Sequence, residues 1–235
     1  MAPEGLSPIF DPNGKLLGTD DQGVKGNAII MNEKDFQQGM SHEEALSKGT
    51  LYSDLPSDNA ARSNAESFMK GARDRPDYDG FLTYNEANSW ARKGSLDAQN
   101  KYGNGDLFID VRTIDVSKFS LTDIQSANNK GNYYFNFLSL GKAASGTLGY
   151  FFGRYDNNDT GMIFGNIRLE AGSNGTVHIG NRDTRMIDLY DFNTKDGSYY
   201  KRGANALGEH ISTIGGKYKI NNYSIYGYGT KRVQK

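Results

Sequence analysis

The chain of 235 residues contains no cysteine. Disulfides, thiol nucleophiles and thiolate metal sites are thereby excluded, and any metal must sit on oxygen or imidazole ligands. Histidine is scarce too, with only His42, His178 and His210, which argues against a histidine-rich nuclease motif. No apolar run approaches the ~20 residues of a membrane-spanning helix, so no transmembrane segment is expected. The opening MAPEGLSPIF lacks a basic stretch followed by an apolar core, so no secretion signal is expected there. A net charge of −1 is too small for a nucleic-acid surface. A phosphate-binding glycine loop, a GxSxG elbow, an HExxH pair and solenoid repeats are all missing as well.

What the chain does have is 29 glycines and 15 tyrosines, a bias toward turns and short strands. Hydrophobic residues at 36% and charged residues at 23% are those of a globular protein with a core. Charge is unevenly spread: residues 185–235 carry nine Lys and Arg against four Asp and Glu. A basic C-terminal segment suits an anionic substrate or a membrane surface.

Residues 1–50 read as an irregular lead-in, with turn clusters at Asp11–Gly14 and Asp20–Gly23 and one strand at Ala28–Met31. Ser41 opens a helix as its N-cap, with Glu44 at the capping-box position. Asn59 to Ala72, rich in Ala, Glu, Met and Lys, is a second helix. A third runs from Glu86 to Lys93 and carries Trp90, the only tryptophan.

Between the last two lies Asp74-Arg75-Pro76-Asp77-Tyr78-Asp79-Gly80-Phe81-Leu82-Thr83-Tyr84-Asn85-Glu86. With Glu86 as position 12 of a calcium loop, Asp77 falls at 3, Asp79 at 5, Gly80 at 6 and Phe81 at 7. Arg75 stands where the first acid belongs and Asp74 comes one residue early. The loop therefore resembles an EF-hand with one residue inserted. It implies a structural Ca²⁺ held by Asp74, Asp77, Asp79, Phe81 and Glu86. The alternative is a plain turn, with Thr83 as N-cap and Glu86 closing a capping box.

From residue 106 the pattern turns to strands. Leu107–Ile114, Tyr133–Leu138 and Gly149–Gly153 are β-branched or aromatic, and Ser117–Ile124 is ambiguous between helix and strand. Met162–Glu170 reads as one strand with a bulge near Gly165. Asn174-Gly175 is a hairpin turn, and Thr176–Gly180 pairs back with Val177 and Ile179 inward. That turns His178 to the other face, as a strand histidine and not a ligand. Ile214–Lys219 and Tyr223–Tyr228 make a closing hairpin. The fold expected is α+β in three parts: an irregular linker at 1–50, a helix–loop–helix at 51–105 with the EF-like loop, and a β-rich part at 106–235. The small helical part packs on a curved antiparallel sheet or half-barrel.

The stretch that carries chemistry is Asp188–Arg202, DLYDFNTKDGSYYKR. Two carboxylates three residues apart, Asp188 and Asp191, can hold a divalent cation or divide acid and base roles. Lys201 and Arg202 can neutralise a phosphate. The same residue types also furnish an ordinary polar loop leaving a strand.

Asp188-x-Tyr190-Asp191-Phe192-Asn193 followed by a basic pair resembles the active-site motif of colicin M-type bacteriocins. The run from Phe10 to Leu46 resembles the segment that joins Bacteroidetes rearrangement-hotspot (Rhs) polymorphic toxins to their variable C-terminal domains. The two resemblances imply an antibacterial toxin domain, secreted as the tip of a larger effector, monomeric and neutralised by a cognate immunity protein. It would act in the target-cell periplasm on lipid II, cleaving between the undecaprenyl lipid and pyrophosphate with Mg²⁺ or another divalent cation. Asp188, Tyr190 and Asp191 match the family's acidic cluster and Arg202 its arginine. Lys201 stands where the family has histidine, so the base falls to His210 or Asp191. A nuclease toxin and a non-enzymatic binding module are the competing readings.

Overall fold

Three short apolar runs near the N-terminus, Pro8–Phe10 (β1), Leu16–Thr19 (β2) and Ile29–Ile30 (β3), join Thr50–Leu51 (β4) in one sheet. Its order is β2-β1-β3-β4, with β1 antiparallel to β2 and parallel to β3. Asp11 makes the turn between β1 and β2, its Oδ1 accepting from the backbone N–H of Asn13 and Lys15 at 2.9 and 2.8 Å. The computed structural model describes residues 7–137, 158–190 and 221–233, and its fold is α+β.

The helices begin where the caps predict. Ser41 Oγ accepts from the Glu44 N–H to open α1 (His42–Lys48), and Asn59 Oδ1 accepts from Ala61 and Arg62 to open α2 (Ala60–Ala72). Next, α3 (Tyr84–Ser89) passes through a π turn at Trp90–Gly94 into α4 (Ser95–Tyr102), which Gly103 stops at a φ of 71°. Ser120 resolves the ambiguity at 117–124 by capping a helix, α5 (Leu121–Asn129).

A second helical segment replaces expected strand. Residues 158–164 form α6 (Asn158–Phe164), and Gly165, at a φ of 58°, ends it before β7 (Asn166–Ala171) begins. The register shift expected as a bulge near Gly165 is therefore a helix end: only the far side of the glycine is extended.

β7 pairs with β6 (Tyr134–Asn136) and, across the Asn174-Gly175 turn, with β8 (Thr176–Ile179). Asn174 and Gly175 both have positive φ, 57° and 76°, the conformation that makes this dipeptide a tight hairpin turn. Val177 and Ile179 are buried, as their alternation predicts. A last strand, β11 (Lys231–Arg232), completes this all-antiparallel sheet in the order β11-β8-β7-β6.

The third sheet is β5 (Leu107–Asp110), β10 (Tyr223–Tyr228) and β9 (Met186–Tyr190), in the order β5-β10-β9. β10 runs antiparallel to β9 but parallel to β5, so the β-rich part is mixed and not purely antiparallel. Among the described residues no barrel closes. The strands expected at 149–153 and 214–219 lie outside the described residues.

Alternation along the central strands explains how the parts fit together. On β1 and β3, Ile9 and Ile29 point to one apolar cluster with Met31, Met40 and Ala45, while Phe10 and Ile30 point to another with Phe68 of α2. On β5, Leu107 and Ile109 enter the largest cluster with Ile124, Ile167, Leu169 and Ile225, while Phe108 enters the Phe68 cluster. The lead-in expected to be irregular thus forms a sheet buried on both faces, and β5 bridges the division expected near residue 106.

Candidate functional site

β9 is paired with β10 on one side and carries the first residues of the motif. Tyr190 is 3% exposed, its ring stacked on Tyr223 at 5.1 Å and its hydroxyl donating to Asn88 Oδ1 at 3.0 Å. The Tyr223 hydroxyl in turn donates to the Ala87 carbonyl at 3.0 Å. Burial, joined by the nearby Tyr190 and Asp188, holds the Tyr223 phenol well above its ordinary pKa. Both hydroxyls are thus spent on fastening β9 and β10 to α3, and what Tyr190 supplies here is position.

Tyr190→Phe keeps the stacked ring but leaves Asn88 without that donor inside the core. The expected loss is about 1–3 kcal/mol, read from urea denaturation. A variant as stable as the parent would overturn this role for Tyr190.

Asp188 is half-buried on β9 opposite Ile225, and its Oδ1 accepts from the Leu189 N–H at 3.0 Å. Asp191, Lys201, Arg202 and His210 lie outside the described residues. Of the motif, then, Asp188 and Tyr190 stand together on one anchored strand.

In the EF-like loop the acids meet donors of the chain itself. Arg75 Nε and Nη2 donate to the two carboxylate oxygens of Asp77 at 2.9 and 2.8 Å, and the Phe108 N–H adds a third bond at 2.8 Å. Asp77 is completely buried in this arrangement, whereas Asp74 and Asp79 are exposed. Asp79 accepts from the Phe81 N–H at 2.9 Å. Glu86 Oε2 accepts from both the N–H and the hydroxyl of Thr83, closing the capping box at the start of α3. Gly80, at a φ of 81°, leaves room for the Tyr228 hydroxyl, which an added Cβ would meet at 2.7 Å. The bonds of Asp79 and Glu86 are those of a turn and of a capped helix start. Among the described residues no three His, Asp or Glu side chains gather where they could hold a metal ion.

Two arrangements had no sequence signal. Asp20, fully buried, meets His42 Nδ1 at 2.7 Å and accepts from the N–H of Ser7 and Gln22. Burial raises the Asp20 pKa, and the histidine and backbone bonds pull it back. The second gathers around Glu170 on β7. Its Oε1 takes the Arg168 guanidinium, its Oε2 takes Arg182 Nε at 3.2 Å, and His178 faces it across the strands. Arg185 lies close enough to help depress the His178 pKa, after burial and Arg182. A hairpin register with Val177 and Ile179 inward already sets His178 and Glu170 on one face. Arg168 comes from β7 itself, while Arg182 and Arg185 come from the turn that follows β8, a stretch whose sequence reads as the strand running on.

No helix among the described residues is long and apolar enough to cross a membrane. No family model, no curated protein and no solved structure matches this chain.

Proposed function

We propose that the chain is an antibacterial toxin domain that hydrolyses a lipid-linked phosphate ester, lipid II, in the periplasm of the target cell. The observation that carries the reading is the string Asp188-x-Tyr190-Asp191-Phe192-Asn193 with Arg202 downstream. Its support in the fold is that the string begins on a strand fastened at Tyr190, so that Asp188 stands on a rigid element. Asp188 and Asp191 offer hard oxygen donors, which fit a divalent cation such as Mg²⁺. When bound, the ion would neutralise charge on the phosphoryl oxygens. Arg202 is the planar clamp for the phosphate, and Asp191 or His210 takes the proton of the attacking water. Lys201, in place of the family's histidine, adds charge and not a base, since an ordinary lysine is protonated near neutral pH.

The test is growth when the domain is exported to the periplasm, compared with expression in the cytoplasm. Lysis is expected only on export, because the substrate headgroup is exposed on that side of the inner membrane. Asp191→Ala abolishes it, and Arg202→Lys loses most of it because a point charge replaces a bidentate fork. Killing from the cytoplasm alone replaces this reading with a nuclease. No killing from either side replaces it with a binding module.

A further inference from the structure

The turn between β8 and β9 brings Arg182 and Arg185 to the face of the β7–β8 hairpin that carries Arg168, Glu170 and His178. The two arginines are held differently. Arg182 Nε is tied to Glu170, and Arg168 is tied to the same carboxylate while its guanidinium lies over the Tyr133 ring at 5.3 Å. The guanidinium of Arg185 has no hydrogen bond or ion pair among the described residues.

Arg185 is nevertheless the most constrained residue of the turn. Its backbone N–H donates to the Asn181 carbonyl and its carbonyl accepts from the Gly227 N–H, both at 2.9 Å. Its side-chain stem packs on Gly39, where an added Cβ would meet Arg185 Cγ at 2.8 Å. Its φ is 60°, a left-handed conformation that costs a non-glycine residue energy and that glycine would adopt freely. A strained backbone and a fitted stem therefore hold a cation without a partner among the described residues in the same turn as Arg182, within electrostatic reach of His178. Like charges brought together without a counter-ion are unfavourable, and a bound anion removes that cost.

We propose that Arg185 and Arg182, with His178 beside them, form a binding site for a phosphate or pyrophosphate group. Arg185 is the primary donor and Arg182 supplies the N–H groups that Glu170 does not take. Arg168 braces Glu170 from behind, and the exposed Asp183 at the tip of the turn is the other acid nearby. His178 fits this role as a neutral group: burial, then Arg182 and Arg185, lower its pKa, so it holds a hydrogen-bonding imidazole near neutral pH without adding repulsion. An arriving phosphate reverses that field and raises the His178 pKa. The site stands independently of the hydrolase reading, since it uses none of the residues from Asp188 to His210.

The experiment is calorimetric titration of the full chain with inorganic pyrophosphate at low salt, against chloride at matched ionic strength. Saturable binding that weakens with added salt is expected. Arg185→Gly should weaken it by roughly 10- to 100-fold, the worth of charge-assisted hydrogen bonds. The same variant should keep or raise the melting temperature, because glycine relieves the strained φ. Glu170→Gln should bind more tightly, since it frees two guanidiniums. Sedimentation with phosphatidylcholine vesicles containing phosphatidic acid separates the sources of the phosphate. Association that Arg185→Gly abolishes assigns the group to a lipid headgroup; pyrophosphate binding without it assigns a soluble ligand. If pyrophosphate binds no better than chloride, or if Arg185→Gly binds it as the parent does, the site is not there.

Discussion

Asp77→Ala is expected to cost about 3–5 kcal/mol of stability, whether or not calcium is present. The loss comes from the partner left behind. Arg75 is 6% exposed and lies between the rings of Phe68 and Trp90, with its centre 5.6 and 5.1 Å from theirs. Removing the carboxylate leaves that guanidinium buried with one remaining strong acceptor, the Asp106 carbonyl at 2.7 Å, and leaves the Phe108 N–H unpaired as well. Among the described residues Arg75 Nη1 already has no hydrogen-bond partner, so no spare acceptor there shares the burden. The same substitution at a calcium ligand would behave otherwise, with a deficit seen only when calcium is present. Urea denaturation in calcium and in chelator distinguishes the two. An equal midpoint shift in both supports the ion pair alone, while a shift that vanishes in chelator supports the calcium site.

Phe10→Ala should cost a similar amount, about 3–5 kcal/mol, and it should do so through the whole chain. Phe10 is fully buried and meets Phe68 edge-on at 4.9 Å, and Phe68 meets Tyr102 the same way at 4.9 Å. The same cluster contains Phe108, which stacks on Tyr226 at 5.7 Å. Removing the ring of Phe10 therefore opens a cavity in the cluster that the N-terminal sheet shares with α2 and with Phe108 of β5. If residues 1–50 were a detachable linker, the loss would be small and the tryptophan fluorescence transition of Trp90, on the far helix, would not move. A shift of that transition together with the circular-dichroism transition supports one cooperative core; separate transitions would overturn it.

How much of this was legible in the sequence follows the distance over which each feature is decided. Ser41 announces a helix because a cap is made within three residues, between a side chain and the N–H groups that follow it, and Asn59–Ala72 does so by its run of helix formers, while the Ser120 cap shows itself only in the structure. Asn174-Gly175 announces a hairpin because two successive positive-φ residues leave the chain little else to do. Gly165 was read on the right residue and for the wrong element, since a bulge and a helix C-terminus use the same left-handed glycine. The first fifty residues hid their sheet for another reason. Strands of two to four residues, buried on both faces, show neither length nor alternation, and turn-rich connections dominate what the eye sees.

The candidate sites divide in the same way. The acids of the Asp77–Glu86 stretch are compatible in sequence with a calcium loop and with a capped turn, and residue types alone do not choose. The choice is made by donors from elsewhere: the Phe108 N–H reaches Asp77 from 31 positions away. Arg182 and Arg185 likewise read as two charges in a polar turn until the hairpin and Gly39 bring them beside His178. On its own, then, the sequence determined the α+β class, the helices at Ser41 and Asn59 and the Asn174-Gly175 hairpin. Each of these rests on interactions within a few residues. The tertiary structure alone decided that Asp77 is spent on Arg75, that β5 runs parallel to β10, and that the N-terminal strands belong to the core. Those outcomes depend on which distant surfaces exclude water from one another, and no short window of sequence contains both surfaces.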